Sequence, residues 1–146
     1  MQEFMPGDLI EIRLEGRISY VLVTHDHPSY PTVVQGLTGH HDKRPSDTGS
    51  LTKTKPAFTV MLPLGSVLST LNIDHEVVEN VDLSDMTFPT FRMPIRDKQG
   101  EVVYWWYWDG RGLSYELDPG EEHNAMPLRE ITSAERFIDL LRQASA

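Results

Sequence analysis

Val102-Val103-Tyr104-Trp105-Trp106-Tyr107-Trp108 runs directly into Asp109-Gly110, and this junction decides the fold class. β-Branched and aromatic residues suit a pleated strand, and Asp-Gly is a strong signal for a two-residue hairpin turn. Pairing outward from Asp109-Gly110 sets Trp106 opposite Leu113, Tyr104 opposite Tyr115 and Val102 opposite Leu117. Upstream, Asp97-Lys98-Gln99-Gly100 reads as a four-residue turn, which sets Ile95 opposite Val102, Met93 opposite Tyr104 and Phe91 opposite Trp106. The two turns together define a three-stranded antiparallel meander over residues 90–117.

Cross-strand partners share a face. The expected core face is therefore Phe91, Met93, Ile95, Val102, Tyr104, Trp106, Leu113, Tyr115 and Leu117. The opposite face is mixed: Arg92 beside Trp105 and Ser114, Tyr107 opposite Gly112, Arg96 opposite Glu101, with Pro94, Val103 and Glu116. Trp108, next to the turn, is expected to be half exposed. Arg92 over Trp105 would form a cation–π pair. Arg92, Trp105, Tyr107 and Glu116 are the expected partner-binding residues, because arginine and aromatics dominate interface hot spots.

Moving toward the C-terminus, Thr132-Ser133-Ala134-Glu135 fits a capping box with Thr132 as the cap. Ala134, Phe137, Ile138, Leu141 and Ala144 follow helical spacing, predicting a helix over 132–144 with one apolar stripe; the mixed face is then either packed under this helix or left as an exposed patch for a partner. At the other end, Asp8 to Leu14 alternates, and Glu15-Gly16 turns it into a second strand over Ile18 to Thr24. Further strands are expected over Pro31–Leu37, Phe58–Leu62 and Glu76–Val81, with a short helical turn that Pro63-Leu64-Gly65-Ser66 begins and that runs through Leu71, Ser66 offering a cap. Residues 38–57 are rich in Gly, His, Asp, Ser, Thr and Lys and read as a long polar loop. The expectation is one domain, 1–146, of mainly β (α+β) class. Its architecture is an SH3-like or small, partly open antiparallel β-barrel or sheet with a C-terminal α-helix.

The chain of 146 residues carries 22 acidic against 13 basic side chains, a net charge of −9. Phosphate-driven nucleic-acid binding needs a basic surface. The basic clusters here are only Lys43-Arg44 and Lys53 to Lys55, so nucleic acid is excluded as an expected partner. An acidic surface suits a basic protein partner. There are no cysteines, no stretch long enough to span a bilayer, and no secretory signature in Met1 to Pro6. A cytoplasmic location without membrane contact follows as the expectation.

No nucleophile motif or phosphate-binding glycine motif is present; Gly110-Arg111-Gly112 belongs to the hairpin. Glu121-Glu122 and Asp118-Pro119-Gly120 read as solvated loop and turn. His25-Asp26-His27 and His40-His41-Asp42 flank the third strand, and imidazole with carboxylate suits zinc. His25, His27, His40 and His41 are the candidate metal ligands, with His75 a further histidine to compare. They support an alternative reading as a metal-dependent enzyme; a small-molecule sensor with a pocket inside the barrel or beneath the long loop is another.

Two resemblances enter at particular residues. Pro6-Gly7-Asp8-Leu9-Ile10-Glu11-Ile12 with Tyr20-Val21-Leu22-Val23 resembles the opening strands of PemK-like toxins, which implies an SH3-like barrel and, in that family, RNA cleavage on a cationic surface that has no counterpart in this sequence. The Gly7-Asp8 opening strand, Phe88-Pro89-Thr90-Phe91-Arg92, the Trp106 to Gly110 hairpin and Pro127 to Ile131 are similar in style to immunity proteins of bacterial polymorphic-toxin systems. That resemblance implies a non-enzymatic domain that binds and blocks a toxin.

Overall fold

The computed structural model describes residues 4–84, 86–116, 123–124 and 126–144. Leu117, Asp118-Pro119-Gly120 and Glu121-Glu122 lie outside them, and with them the expected Val102–Leu117 pair. The protein is mainly β, with two antiparallel sheets and short helices. The chain forms two compact units, one from Met1–Met86 with Ile131–Ala146 and one from Thr87–Glu130.

The first unit is a five-stranded sheet in the order β4-β3-β2-β1-β5. Its strands are β1 (Asp8–Leu14), β2 (Arg17–His25), β3 (Val33–Leu37), β4 (Pro56–Met61) and β5 (Asp74–Asn80). The Glu15-Gly16 turn is a type I′ turn, both residues having positive φ (55° and 77°); its twist matches that of the flanking strands, with Leu14 opposite Arg17. The first and last strands in this order do not pair, so the sheet is not closed into a barrel.

Both faces of β1 and β2 are covered. On one face Ile10, Ile12, Val21, Val23 and Val34 pack against Leu64 and Leu68 of α1 (Leu64–Thr70) and Phe137 and Leu141 of α2 (Ala134–Gln143). On the other, Leu9, Tyr20, Leu22 and Leu37 form a second cluster with Leu51, Val78 and Leu83. The apolar stripe of α2 is thus taken up by the five-stranded sheet. The cap of α2 is Ser133, whose hydroxyl accepts from the Arg136 amide. Thr132, expected as the cap, is buried and spends its amide on the Met61 carbonyl. The helical turn expected to begin within Pro63–Ser66 is α1, but Pro63 and not Ser66 stands at its cap position. Residues 38–57 hold a 3₁₀ turn, Thr48–Lys53, and the start of β4. Among the described residues no helix is long and apolar enough to cross a membrane.

The second unit is the meander, β6 (Phe91–Arg96), β7 (Val102–Trp108) and β8 (Leu113–Glu116). Both of its registers differ from expectation by two residues. Asp109 accepts hydrogen bonds from the Arg111 and Gly112 amides, each 2.9 Å, so the turn spans four residues and sets Trp106 opposite Tyr115 and Trp108 opposite Leu113. In the other loop Asp97 pairs with Glu101, Gly100 takes a positive φ of 86°, and a bulge follows at Ile95/Arg96. Phe91 consequently faces Trp108, Met93 faces Trp106 and Ile95 faces Tyr104. A two-residue shift is a whole pleat period, so among the described residues Phe91 to Ile95, Tyr104 to Trp108 and Leu113 to Glu116 keep their expected faces, whereas beyond the bulge Arg96 pairs with Val102 and not with Glu101.

The burial of those faces is what changes. Among the described residues of the expected core face only Phe91 is buried, while Tyr115 is 62% and Leu113 53% exposed. Trp108, expected half exposed, is 6% exposed. It stands edge-on to Phe88 (5.5 Å) and carries the Arg129 guanidinium 5.0 Å from its ring centroid.

Candidate functional site

The meander presents two chemically distinct faces. On the first, Tyr104, Trp106 and Tyr115 form a triangle of rings with centroids 6.1, 5.9 and 5.8 Å apart. This arises from sequence parity: positions 104 and 106 lie one pleat apart on β7, and the Trp106–Tyr115 pair brings the third ring across. Met93 and Ile95 of β6 are cross-strand neighbours on the same face and are half-buried; Leu113 of β8 lies beyond and is exposed. The result is a surface of clustered aromatic rings flanked by aliphatic side chains.

The second face holds the residues expected to bind a partner. The Arg92 guanidinium lies 5.2 Å from the Trp105 ring centroid. Trp105 in turn meets His123 edge-on at 4.3 Å, and the Tyr107 hydroxyl hydrogen-bonds His123 Nδ1 at 2.9 Å. Arg92, Trp105 and Tyr107 are half-buried and Glu116, opposite Trp105, is exposed. The 126–129 segment adds to β6 by parallel bonds, with the Arg92 amide donating to the Pro127 carbonyl and the Arg129 amide to the Arg92 carbonyl. Burial and the nearby Arg92 charge lower the His123 pKa, favouring neutral imidazole.

His123 is the residue that sequence reasoning missed. It follows Glu121-Glu122 in a stretch with no periodicity, and only its position opposite Trp105 and Tyr107 in space gives it a role. A signal was present in retrospect: two large aromatics on a polar face need a covering partner.

The histidines read as ligands are each committed to local contacts. His25 pairs through Nδ1 with the Thr24 hydroxyl (2.9 Å) and through Nε2 with the Met86 carbonyl (3.3 Å). His27 Nδ1 accepts from the Ser29 amide at 3.0 Å. His40 Nε2 donates to the Leu141 carbonyl at 2.7 Å, leaving Nδ1 to accept from Arg17 at 3.3 Å. His41 forms a two-bond bridge to Ile18 and sets its ring edge-on to Tyr20 at 5.5 Å. His75 Nδ1 donates to the Ile73 carbonyl at 2.7 Å. Among the described residues no three His, Cys, Asp or Glu side chains converge where they could hold a metal.

A different charge cluster does form. Glu11, 2% exposed on β1, receives the Arg44 Nε at 2.6 Å and lies 3.5 Å from Arg13 Nε. Arg13 also reaches Glu76 (2.6 Å) and Asp74 (3.1 Å), and Arg44 reaches Glu76 (3.0 Å). The hydrogen bond from Arg13 and the charge of Arg44 hold Glu76 below the usual carboxylate range. Burial, then the Glu11 charge, push the Tyr20 hydroxyl upward. The network closes charge against charge and ties the long polar segment to the sheet.

Fold and surface define the class as a mainly β, α+β protein carrying an open aromatic sheet. Comparison of the chain with protein-family models, curated proteins and solved structures returns no match.

Proposed function

We propose that this chain is a non-enzymatic protein-binding or regulatory domain, of the toxin-immunity type, that docks its partner on the Tyr104–Trp106–Tyr115 face. The observation that carries the reading is the make-up of that face: three clustered rings, Tyr104 and Trp106 half-buried and Tyr115 exposed, with Leu113 also open to solvent on a three-stranded sheet. Contiguous exposed apolar patches mark interaction sites, and aromatic anchors supply most of the energy in such sites. The net charge of −9 adds a preference for a partner with a basic surface. On the other side of the sheet, Arg92, Trp105, Tyr107 and His123 brace the strands, and Glu116 contributes negative charge at the rim. The lack of cysteine and the excess of acid fit a cytoplasmic setting.

Quantitative affinity purification from the native host tests this. The wild-type chain is expected to retain one partner in stoichiometric amount, and Trp106→Gln to lose about 2 kcal/mol of binding, roughly 30-fold in Kd. For the immunity reading, that partner is toxic when expressed alone and harmless when the chain is co-expressed. Retention of the same partner by Trp106→Gln and Tyr104→Ser at wild-type level would overturn the assignment of the face.

A further inference from the structure

We propose that β8 is a self-association edge, on which two copies of this chain pair antiparallel about a twofold axis at Ser114. The Asp109 amide donates to the Gly112 carbonyl at 3.5 Å across the turn. Because hydrogen-bonded and non-hydrogen-bonded pairs alternate in an antiparallel ladder, positions 112, 114 and 116 direct their backbone groups at β7. Leu113 and Tyr115 therefore direct theirs outward. β8 ends the order β6-β7-β8, its four residues are all exposed, and among the described residues no backbone hydrogen bond reaches its outer edge. An exposed apolar edge of this kind is a template for another strand.

A second copy satisfies this edge on three counts at once. Setting Leu113 opposite Tyr115 of the second copy pairs the outward N–H and C=O groups of both residues, giving four hydrogen bonds across the axis. The same register puts apolar side chains with apolar side chains, so the two Tyr104–Trp106–Tyr115 clusters join into one six-stranded face. It also places Glu116 opposite Gly112 of the other copy, next in sequence to Arg111 of the four-residue turn, so that an acidic residue is set near a basic one. A one-residue slip in either direction would put Leu113 and Tyr115 on the face of Ser114 and Glu116 and misalign the outward backbone groups.

The chain has no cysteine, so Ser114→Cys introduces its sole thiol. At a twofold non-hydrogen-bonded pair the two Cα atoms approach to about 4.5 Å, within the range a disulfide spans. Purified wild-type protein is expected to sediment at twice 16.7 kDa. Ser114→Cys is expected to form a disulfide dimer about tenfold faster than Glu116→Cys, whose thiols lie four residues out of register. Tyr115→Pro deletes an outward N–H that β7 does not use, and is expected to return the protein to a monomer with its circular dichroism unchanged. A mass of 16.7 kDa at about 0.5 mM, equal oxidation rates at 114 and 116, or a dimer untouched by Tyr115→Pro would each overturn the proposal. All three readouts use the isolated chain, so they are independent of whether a toxin-type partner exists.

Discussion

Arg44 places its Nε 2.6 Å from Oε2 of Glu11, a carboxylate 2% exposed on a central strand of the five-stranded sheet. The two residues are 33 positions apart, and their pairing turns a polar segment that reads as a solvated loop into a cover for one face of the sheet. A buried carboxylate is costly unless paired, so the conformation of residues 38–57 and the stability of the sheet are linked through this contact.

Removing Arg44 should therefore cost far more than an ordinary surface substitution. Arg44→Ala leaves Glu11 buried with only Arg13 Nε at 3.5 Å, and a loss of about 3 kcal/mol is expected in urea denaturation. Replacing both members, Arg44→Ala with Glu11→Leu, removes the stranded charge and should recover most of that loss. A double mutant no more stable than Arg44→Ala would show that the pair is not what holds the segment.

His123 makes the second unit sensitive to mild acid. Its pKa is lowered by burial and then by Arg92, so between that lowered value and about 6.5, its unfolded value, the unfolded chain binds more protons than the folded one. Stability must then rise with pH across this window and fall as pH drops through it. Lowering pH from 7.5 to 5.5 is expected to loosen the Tyr107–His123 hydrogen bond and change Trp105 fluorescence. His123→Gln should flatten that pH response. An NMR titration placing His123 at or above 6.5 would contradict this account. Glu15, Glu76, Asp82 and Asp109 carry lowered pKa values as well, so a second loss follows below the usual carboxylate range.

What was legible from residue order, and what was not, separates along a physical line. Alternation and turn chemistry specify which residues share a face, and away from the Ile95/Arg96 bulge the face assignments of the described meander residues survive because both registers shift by an even number. Alternation carries no information about which face is covered. Tyr104 and Trp106 were expected to be inside and are half-buried, while Trp105 and Tyr107 meet His123, a contact that sequence separation hides. Glu11 looked like the outward member of an alternating strand. Its burial depends on Arg44 arriving from another segment, which no local pattern encodes. The contacts of the histidine loops were hidden for the same reason: His25 meets the Met86 carbonyl and His40 the Leu141 carbonyl, partners far away in sequence.

The helix cap tests the same distinction on a small scale. Ser133 accepts from the Arg136 amide at 3.1 Å, so Ser133→Ala should cost about 1 kcal/mol. Glu135, the other half of the expected capping box, contributes only its charge near the helix start, and Glu135→Ala should cost less than about 0.5 kcal/mol. Equal losses measured by thermal unfolding would restore the capping-box reading.

Gly36 offers the sharpest packing test. On β3 it lies opposite Phe58 of β4, and the Phe58 ring lies over the bare backbone, occupying the place a Cβ would take. The ring is also edge-on to Phe137 of α2, with centroids 6.2 Å apart, so strand pairing and helix docking meet at one aromatic side chain. Gly36→Ala must displace that ring, and a loss of about 1–3 kcal/mol is expected from overpacking. Because the ring moves with its contact to Phe137, α2 should lose hydrogen-exchange protection along with β4. Phe58→Leu should lessen the penalty of Gly36→Ala, since it vacates the ring's place, whereas additive effects of the two changes would mean that Gly36 is needed for its backbone alone.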